Sequence, residues 1–161
     1  MEVDHIKRSV RALDASLDAE ACDGIVRGLP GWFGNEEGLR EQAQLVRTSA
    51  GLVCVEDGKI VGFLTYVRIY PQTAEISWMA VRADSRRRRI GTTLLDELTP
   101  LLTRDGSRML VVKTLSDREE PGPEYAQTRS FYLARGFVPV AELDIWGVEN
   151  HCQLLVMALP A

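Results

Sequence analysis

Val81–Leu95 reads V-R-A-D-S-R-R-R-R-I-G-T-T-L-L: an apolar strand end runs into four consecutive arginines, a glycine and the opening of an amphipathic helix. The first amides of a helix have no intrahelical acceptor and stand at the positive end of its macrodipole, so such a junction suits a bound polyphosphate. Arginine side chains can add to that grip. Taken alone, the run reads more simply as a solvated basic stretch capping a helix. Its surroundings decide between the two.

Downstream, Ile90, Leu94, Leu95, Leu98, Leu101 and Leu102 fall on one helical face and Asp105-Gly106 stops the helix, with Pro100 expected to kink it or trim its last turn. Met109–Leu115 is a buried-type strand, so strand, helix and strand make a parallel pair. Upstream, Leu52–Val55 and Ile60–Tyr70 flank Asp57-Gly58, a strong hairpin signal. Pro71–Thr73 then turns the chain into a third antiparallel strand, Ala74–Val81.

The remaining elements follow from the same periodicities. A strand is expected at His5–Ser9, and a helix at Ser16–Leu29 with Leu17, Ala21, Ile25 and Leu29 as its stripe and Pro30-Gly31 as its stop. A second helix is expected at Asn35–Thr48, capped by Asn35 and striped by Leu39, Ala43 and Val46. Ser116–Pro123 reads as a mobile acidic flap and Glu124–Arg135 as a helix ended by Gly136. Phe137–Trp146 and Gln153–Leu159 are closing strands separated by Gly147–Asn150. The sum is an α/β domain over residues 1–161, with a mixed sheet of about seven strands and about four helices, antiparallel at the start with one parallel pair. Ligands of such sheets sit where strand ends meet a change of order, here the ends of Val81 and Leu115.

Composition narrows the function. With 161 residues, 45% of them hydrophobic, the chain can bury a real core. Lys+Arg 19 against Asp+Glu 23 gives a net charge of -4, which makes the arginine run a local exception and disfavours nucleic acid as a partner. Cys22, Cys54 and Cys152 show no metal-like spacing with His5 or His151, so no metal is expected and the thiols read as buried or free in a reducing cytoplasm. No stretch approaches the roughly 18 apolar residues of a membrane span. The charged opening Met1–Arg11 has no signal-peptide core. A cytoplasmic protein without membrane or nucleic-acid partners is the expectation.

The chain resembles the GNAT N-acetyltransferase superfamily over nearly its whole length. The family's phosphate signature is Arg or Gln, two residues, Gly or Ala, one residue, Gly or Ala; Arg86, Arg89 and Gly91 occupy the three positions. Phe131-Tyr132-Leu133-Ala134-Arg135-Gly136-Phe137 is similar to its later F-Y-x-x-x-G-F. The segments Tyr125, Thr128-Arg129, Trp146-Gly147 and Glu149-Asn150 to Cys152 look like those of small standalone bacterial members. Arg89 departs from the family, which usually has glycine there. A negative φ is expected at Arg89, on the argument that Arg87–Gly91 is already turning into a right-handed helix.

The resemblance implies acetyl-CoA as cosubstrate and direct attack by a primary amine, of a small molecule or peptide, in a ternary complex. It implies that the strand of Trp78–Val81 splays from that of Val111–Thr114 and that pantetheine enters between them. Backbone groups of Met79 and Val81 would hold the pantetheine, and an N–H near Met79 or Ala80 would face the thioester oxyanion. Amides of Arg87, Arg88, Arg89, Ile90, Gly91 and Thr92 would hold the pyrophosphate, helped by the side chains of Arg86 and Arg88. Tyr132 takes the family's general-acid position. Glu75, in Ala74-Glu75-Ile76, matches the base of the histone acetyltransferase branch; both also read as structural residues, a core aromatic and a salt-bridged carboxylate. Trp32, Phe33, Tyr66, Arg68 and Tyr70 are the implied acceptor wall. A non-catalytic acyl-CoA sensor is the alternative function, and a homodimer, common in the family, stays open.

Overall fold

The computed structural model describes residues 5–33, 35–118, 122–147 and 150–161. Residues 119–121 of the expected flap, and 148–149 between the closing strands, lie outside the described residues. The described elements are β1 Arg8–Ala12, α1 Ala15–Arg27, α2 Glu36–Thr48, β2 Ala50–Glu56, β3 Lys59–Tyr70, β4 Thr73–Val81, a 3₁₀ turn Ala83–Ser85, α3 Ile90–Arg104, β5 Met109–Leu115, α4 Pro123–Ala134, β6 Val138–Leu143 and β7 Cys152–Ala158. The seven strands are ordered β1-β2-β3-β4-β5-β7-β6. Thr73↔Met109 to Ile76↔Val112 pair in parallel, and the registered pairs of β1–β2, β2–β3, β5–β7 and β6–β7 are antiparallel. This is the expected α/β fold. The chain divides into two compact units, one of Met1–Tyr66 with Trp78–Thr99, the other of Val67–Ser77 with Pro100–Ala161.

In the first unit the β2–β3 hairpin turns on Asp57 at φ 47 and Gly58 at φ 81, the two left-handed residues of a type I′ turn. Asn35 caps α2 as expected, its side chain accepting from the N–H groups of Glu37 and Gly38. Ala19, Cys22, Ile25, Val26, Leu39, Val46, Val53, Phe63 and Ala80 form a buried cluster, on which Trp32, Phe33 and Trp78 pack. In the second unit Leu110, Val112 and Leu155 are buried in the strands, with Tyr132 and Phe137 buried beside the end of α4. Gly136, at φ 100, lets the chain leave that helix.

Three expectations are corrected. The first strand is Arg8–Ala12, not His5–Ser9, because it pairs with β2 from Arg8↔Glu56 to Ala12↔Leu52. The stripe assigned to α1 is misphased: Leu17 is 76% exposed, and Asp18 is buried in its place. Asp18 tolerates burial because Arg11 donates two hydrogen bonds to its carboxylate, at 2.7 and 2.9 Å, and the Asp14 N–H a third. α3 runs to Arg104, with Pro100 inside it, and ends at the expected Asp105-Gly106 stop. The strand after Phe137 ends at Leu143, short of Trp146, where its pairing with β7 ends at Leu143↔Cys152.

Two glycines give the packing of the first unit a test with opposite signs. A Cβ on Gly51 would lie 2.5 Å from the Leu64 carbonyl oxygen and 3.2 Å from Leu13, whereas one on Gly24 in α1 meets nothing within 4 Å. Gly51→Ala is expected to destabilise by about 2 kcal/mol, lowering Tm by about 4–8 °C. Gly24→Ala should stabilise by about 0.5–1 kcal/mol. Calorimetric melting of both variants checks the pair.

Candidate functional site

The arginine junction lies within the first unit. β4 ends at Val81, the 3₁₀ turn follows, Arg86 is extended at φ -68 and ψ 158, and α3 opens at Ile90. Arg87 and Arg89 both stand at φ 62, with a residue that is not left-handed between them. The negative φ expected at Arg89 is therefore wrong. The chain does not begin its right-handed turn at Arg87; it alternates through left-handed conformations and enters the helix only at Ile90. Alternation of this kind aims successive N–H groups into one concavity, an arrangement that binds anions. The helix opening adds the amides of Ile90 and Gly91, which have no acceptor within the helix. The Arg89 carbonyl is held by Thr93, through its N–H at 2.9 Å and its hydroxyl at 2.8 Å.

A left-handed arginine carries strain that glycine does not. Arg89→Gly is expected to stabilise the protein by about 0.5–1 kcal/mol, the relief of strain partly offset by a freer unfolded chain. A lower Tm would instead show the side chain holding the turn.

The four side chains have different occupations. Arg86 lies over the Trp32 ring, its guanidinium carbon 4.1 Å from the centroid. Burial, and then the like charge of Arg87, pull the Arg86 pKa down. Arg88 reaches the carboxylate of Glu56, which Arg8 also holds, so its charge is engaged within the protein. Arg87 and Arg89 are exposed.

Trp78 and Ala80 face the apolar cluster of this unit. Strand alternation leaves Met79 and Val81 on the other side, both half-buried. Of the implied acceptor wall, Trp32 and Phe33 come to this unit, Trp32 beneath Arg86 and Phe33 against Trp78 with ring centroids 4.9 Å apart. Tyr66 is half-buried near the end of the β2–β3 pairing, opposite Ala50.

In the second unit Arg68 is committed to backbone, donating to the carbonyls of Pro71 and Asp105, while Tyr70 is 71% exposed. Glu75 forms an ion pair with Lys113, at 3.1 Å. The Tyr132 ring is 4% exposed and meets Phe131 and Phe137 edge-on, each with centroids 5.2 Å away. Desolvation raises its pKa well above the ordinary tyrosine value, so the phenol keeps its proton. All three cysteines are buried and free. Burial raises each thiol pKa, that of Cys22 to about 12.

Sequence reasoning missed Glu56, Arg8 and Lys113. A carboxylate at a strand end before Asp-Gly reads as solvent-facing, and only the pairing of β1 with β2 could have brought Arg8 opposite it.

The profile of the Acetyltransferase (GNAT) family matches residues 20–137, and the chain belongs to that family. No curated protein matches it significantly. Among solved structures, a GNAT-family protein from Desulfovibrio desulfuricans is 21% identical with a TM-score of 0.82, over 96% of this chain and 100% of that one. The ribosomal-protein-S18-alanine N-acetyltransferase from Escherichia coli is 15% identical with a TM-score of 0.75, over 96% of each chain. An aminoglycoside 6'-N-acetyltransferase complexed with coenzyme A is 16% identical with a TM-score of 0.72, over 95% of this chain and 98% of that one.

Proposed function

We propose that this chain transfers the acetyl group of acetyl-CoA to a primary amine by direct attack in a ternary complex. The observation that carries the reading is the junction at Arg86–Ile90, where two left-handed residues and a helix opening gather backbone N–H groups for a diphosphate. Membership of the family and the coenzyme A bound to one solved neighbour support the same ligand. Backbone groups of Met79 and Val81 hold the pantetheine in this proposal, and an N–H at Met79 or Ala80 stabilises the thioester oxyanion. Arg86, stacked on Trp32, supplies a side-chain cation.

Direct attack agrees with the thiols, since a buried cysteine with a raised pKa is a poor thiolate nucleophile. Tyr132, held protonated, is the donor to the departing CoA thiolate. Glu75, paired with Lys113, is the carboxylate that relieves the incoming amine of its proton. The acceptor is a small-molecule or peptide amine, bounded by Trp32, Phe33 and Tyr66. We place the protein in the cytoplasm, and no helix among the described residues is long and apolar enough to cross a membrane.

The test is a panel of amines at fixed acetyl-CoA, read by mass spectrometry and by release of free CoA thiol. Acetylated amine matched by thiol supports the reading. Tight acetyl-CoA binding with no product from any amine class would favour the sensor.

A further inference from the structure

We propose that Glu56 is a positioning residue for cofactor binding: it clamps Arg88 and so holds the arginine loop in its anion-receptive shape. The inference rests on the acetyl-CoA reading above and concerns a residue, Glu56, outside the loop and the family signature. Glu56 is 5% exposed, the last residue of β2. One carboxylate oxygen accepts from Arg8 Nε at 2.8 Å and from its Nη2 at 2.6 Å, and the other accepts from Arg88 Nη2. A buried carboxylate held by two guanidinium groups is an anchor of fixed geometry. Arg8 also reaches the Thr93 hydroxyl at 3.4 Å, and Thr93 holds the Arg89 carbonyl. The network thus fastens the loop at Arg88 and again at Arg89.

Left-handed non-glycine residues persist only where their surroundings over-determine them. Here Arg87 and Arg89 flank the clamped residue, and the clamp is the contact that keeps Arg88 from swinging and the loop from relaxing. A relaxed loop must be reordered by the ligand, which weakens binding. The rival view gives the opposite sign. If Glu56 merely competes with phosphate for Arg88, removing its charge frees an arginine and tightens binding.

Titration calorimetry of wild type, Glu56→Gln, Arg88→Gln, Arg88→Lys and the Glu56→Gln/Arg88→Gln double variant, with acetyl-CoA and with acetylpantetheine, decides between them. Acetylpantetheine lacks the diphosphate and serves as the internal reference. Glu56→Gln is expected to reduce the preference for acetyl-CoA over acetylpantetheine about tenfold, a loss typical of one preorganising charged contact. Arg88→Gln should match it, the double variant should be no weaker than the worse single, and Arg88→Lys should recover most of the preference. Unchanged or tighter acetyl-CoA binding in Glu56→Gln overturns the clamp, as does an additive double variant. Wild type that fails to bind acetyl-CoA overturns the parent reading as well. Should Glu56→Gln melt below the assay temperature, Arg88→Gln and Arg88→Lys, at the more exposed end of the pair, test the clamp without it: an undiminished preference in Arg88→Gln overturns it.

Discussion

Replacing Tyr132 with phenylalanine is expected to lower kcat about a hundredfold, with the acetyl-CoA KM and Tm close to wild type. The packing survives the change, because Phe131 and Phe137 meet the edges of the ring and do not need the hydroxyl. What disappears is a phenol that burial keeps protonated well above its ordinary pKa. Such a group donates protons at neutral pH and cannot act as a base there. The effect belongs at the lower end of general acid catalysis, since a thiol with a pKa near 8.5 leaves tolerably as the thiolate. Because the Tyr132 pKa is raised, any loss of activity from its ionisation should begin only above about pH 10, beyond the ordinary tyrosine range. A Tyr132→Phe enzyme with wild-type kcat would leave the residue only a packing role.

Glu75→Gln is expected to have the next largest effect, and one that depends on the acceptor. At pH 7 a lysine-like amine with pKa about 10.4 is neutral in roughly one molecule in a few thousand, against about one in seven for an α-amine near 7.8. A base matters far more to the first. The variant should therefore lose about 10²-fold in kcat/KM with a lysine-like acceptor and less than about tenfold with an α-amine. Raising the pH towards the amine's own pKa neutralises more of it without help, so the deficit should shrink as pH rises. Equal losses with both acceptors, independent of pH, would assign Glu75 to the ion pair alone. The comparison needs steady-state kinetics with two acceptors at several pH values.

Much of the fold was legible because its signals are local. Asp57-Gly58 marks a hairpin turn wherever it flanks β-branched strands, and the leucine stripe from Ile90 followed by Met109–Leu115 defines a helix and a strand without reference to the rest of the chain. The misphased stripe of α1 is a non-local failure. Asp18 could enter the buried face of α1, displacing Leu17, only because Arg11 sits on the neighbouring strand. The hydrogen bond of Arg68 to the Asp105 carbonyl likewise depends on a return of the chain that the sequence does not display.

The junction itself was half legible. Strand, basic turn and helix indicate an anion site, but nothing in a run of identical residues reveals which of them turn left, as Arg87 and Arg89 do. Nor does the run reveal that its third arginine is held by Glu56, 32 residues earlier. Four equivalent charges resolve into one stacked on Trp32, one clamped on Glu56 and two exposed at left-handed turns. In the proposed function, backbone amides are the main anion-binding groups of the loop.

An amide NMR titration of the ¹⁵N-labelled chain with acetyl-CoA observes those groups one by one. The largest saturable shifts are expected at the amides of Arg87–Thr92, with acetylpantetheine leaving those amides unmoved while shifting Met79–Val81. Saturable acetyl-CoA binding that leaves the amides of Arg87–Thr92 in place would show that the diphosphate is held elsewhere.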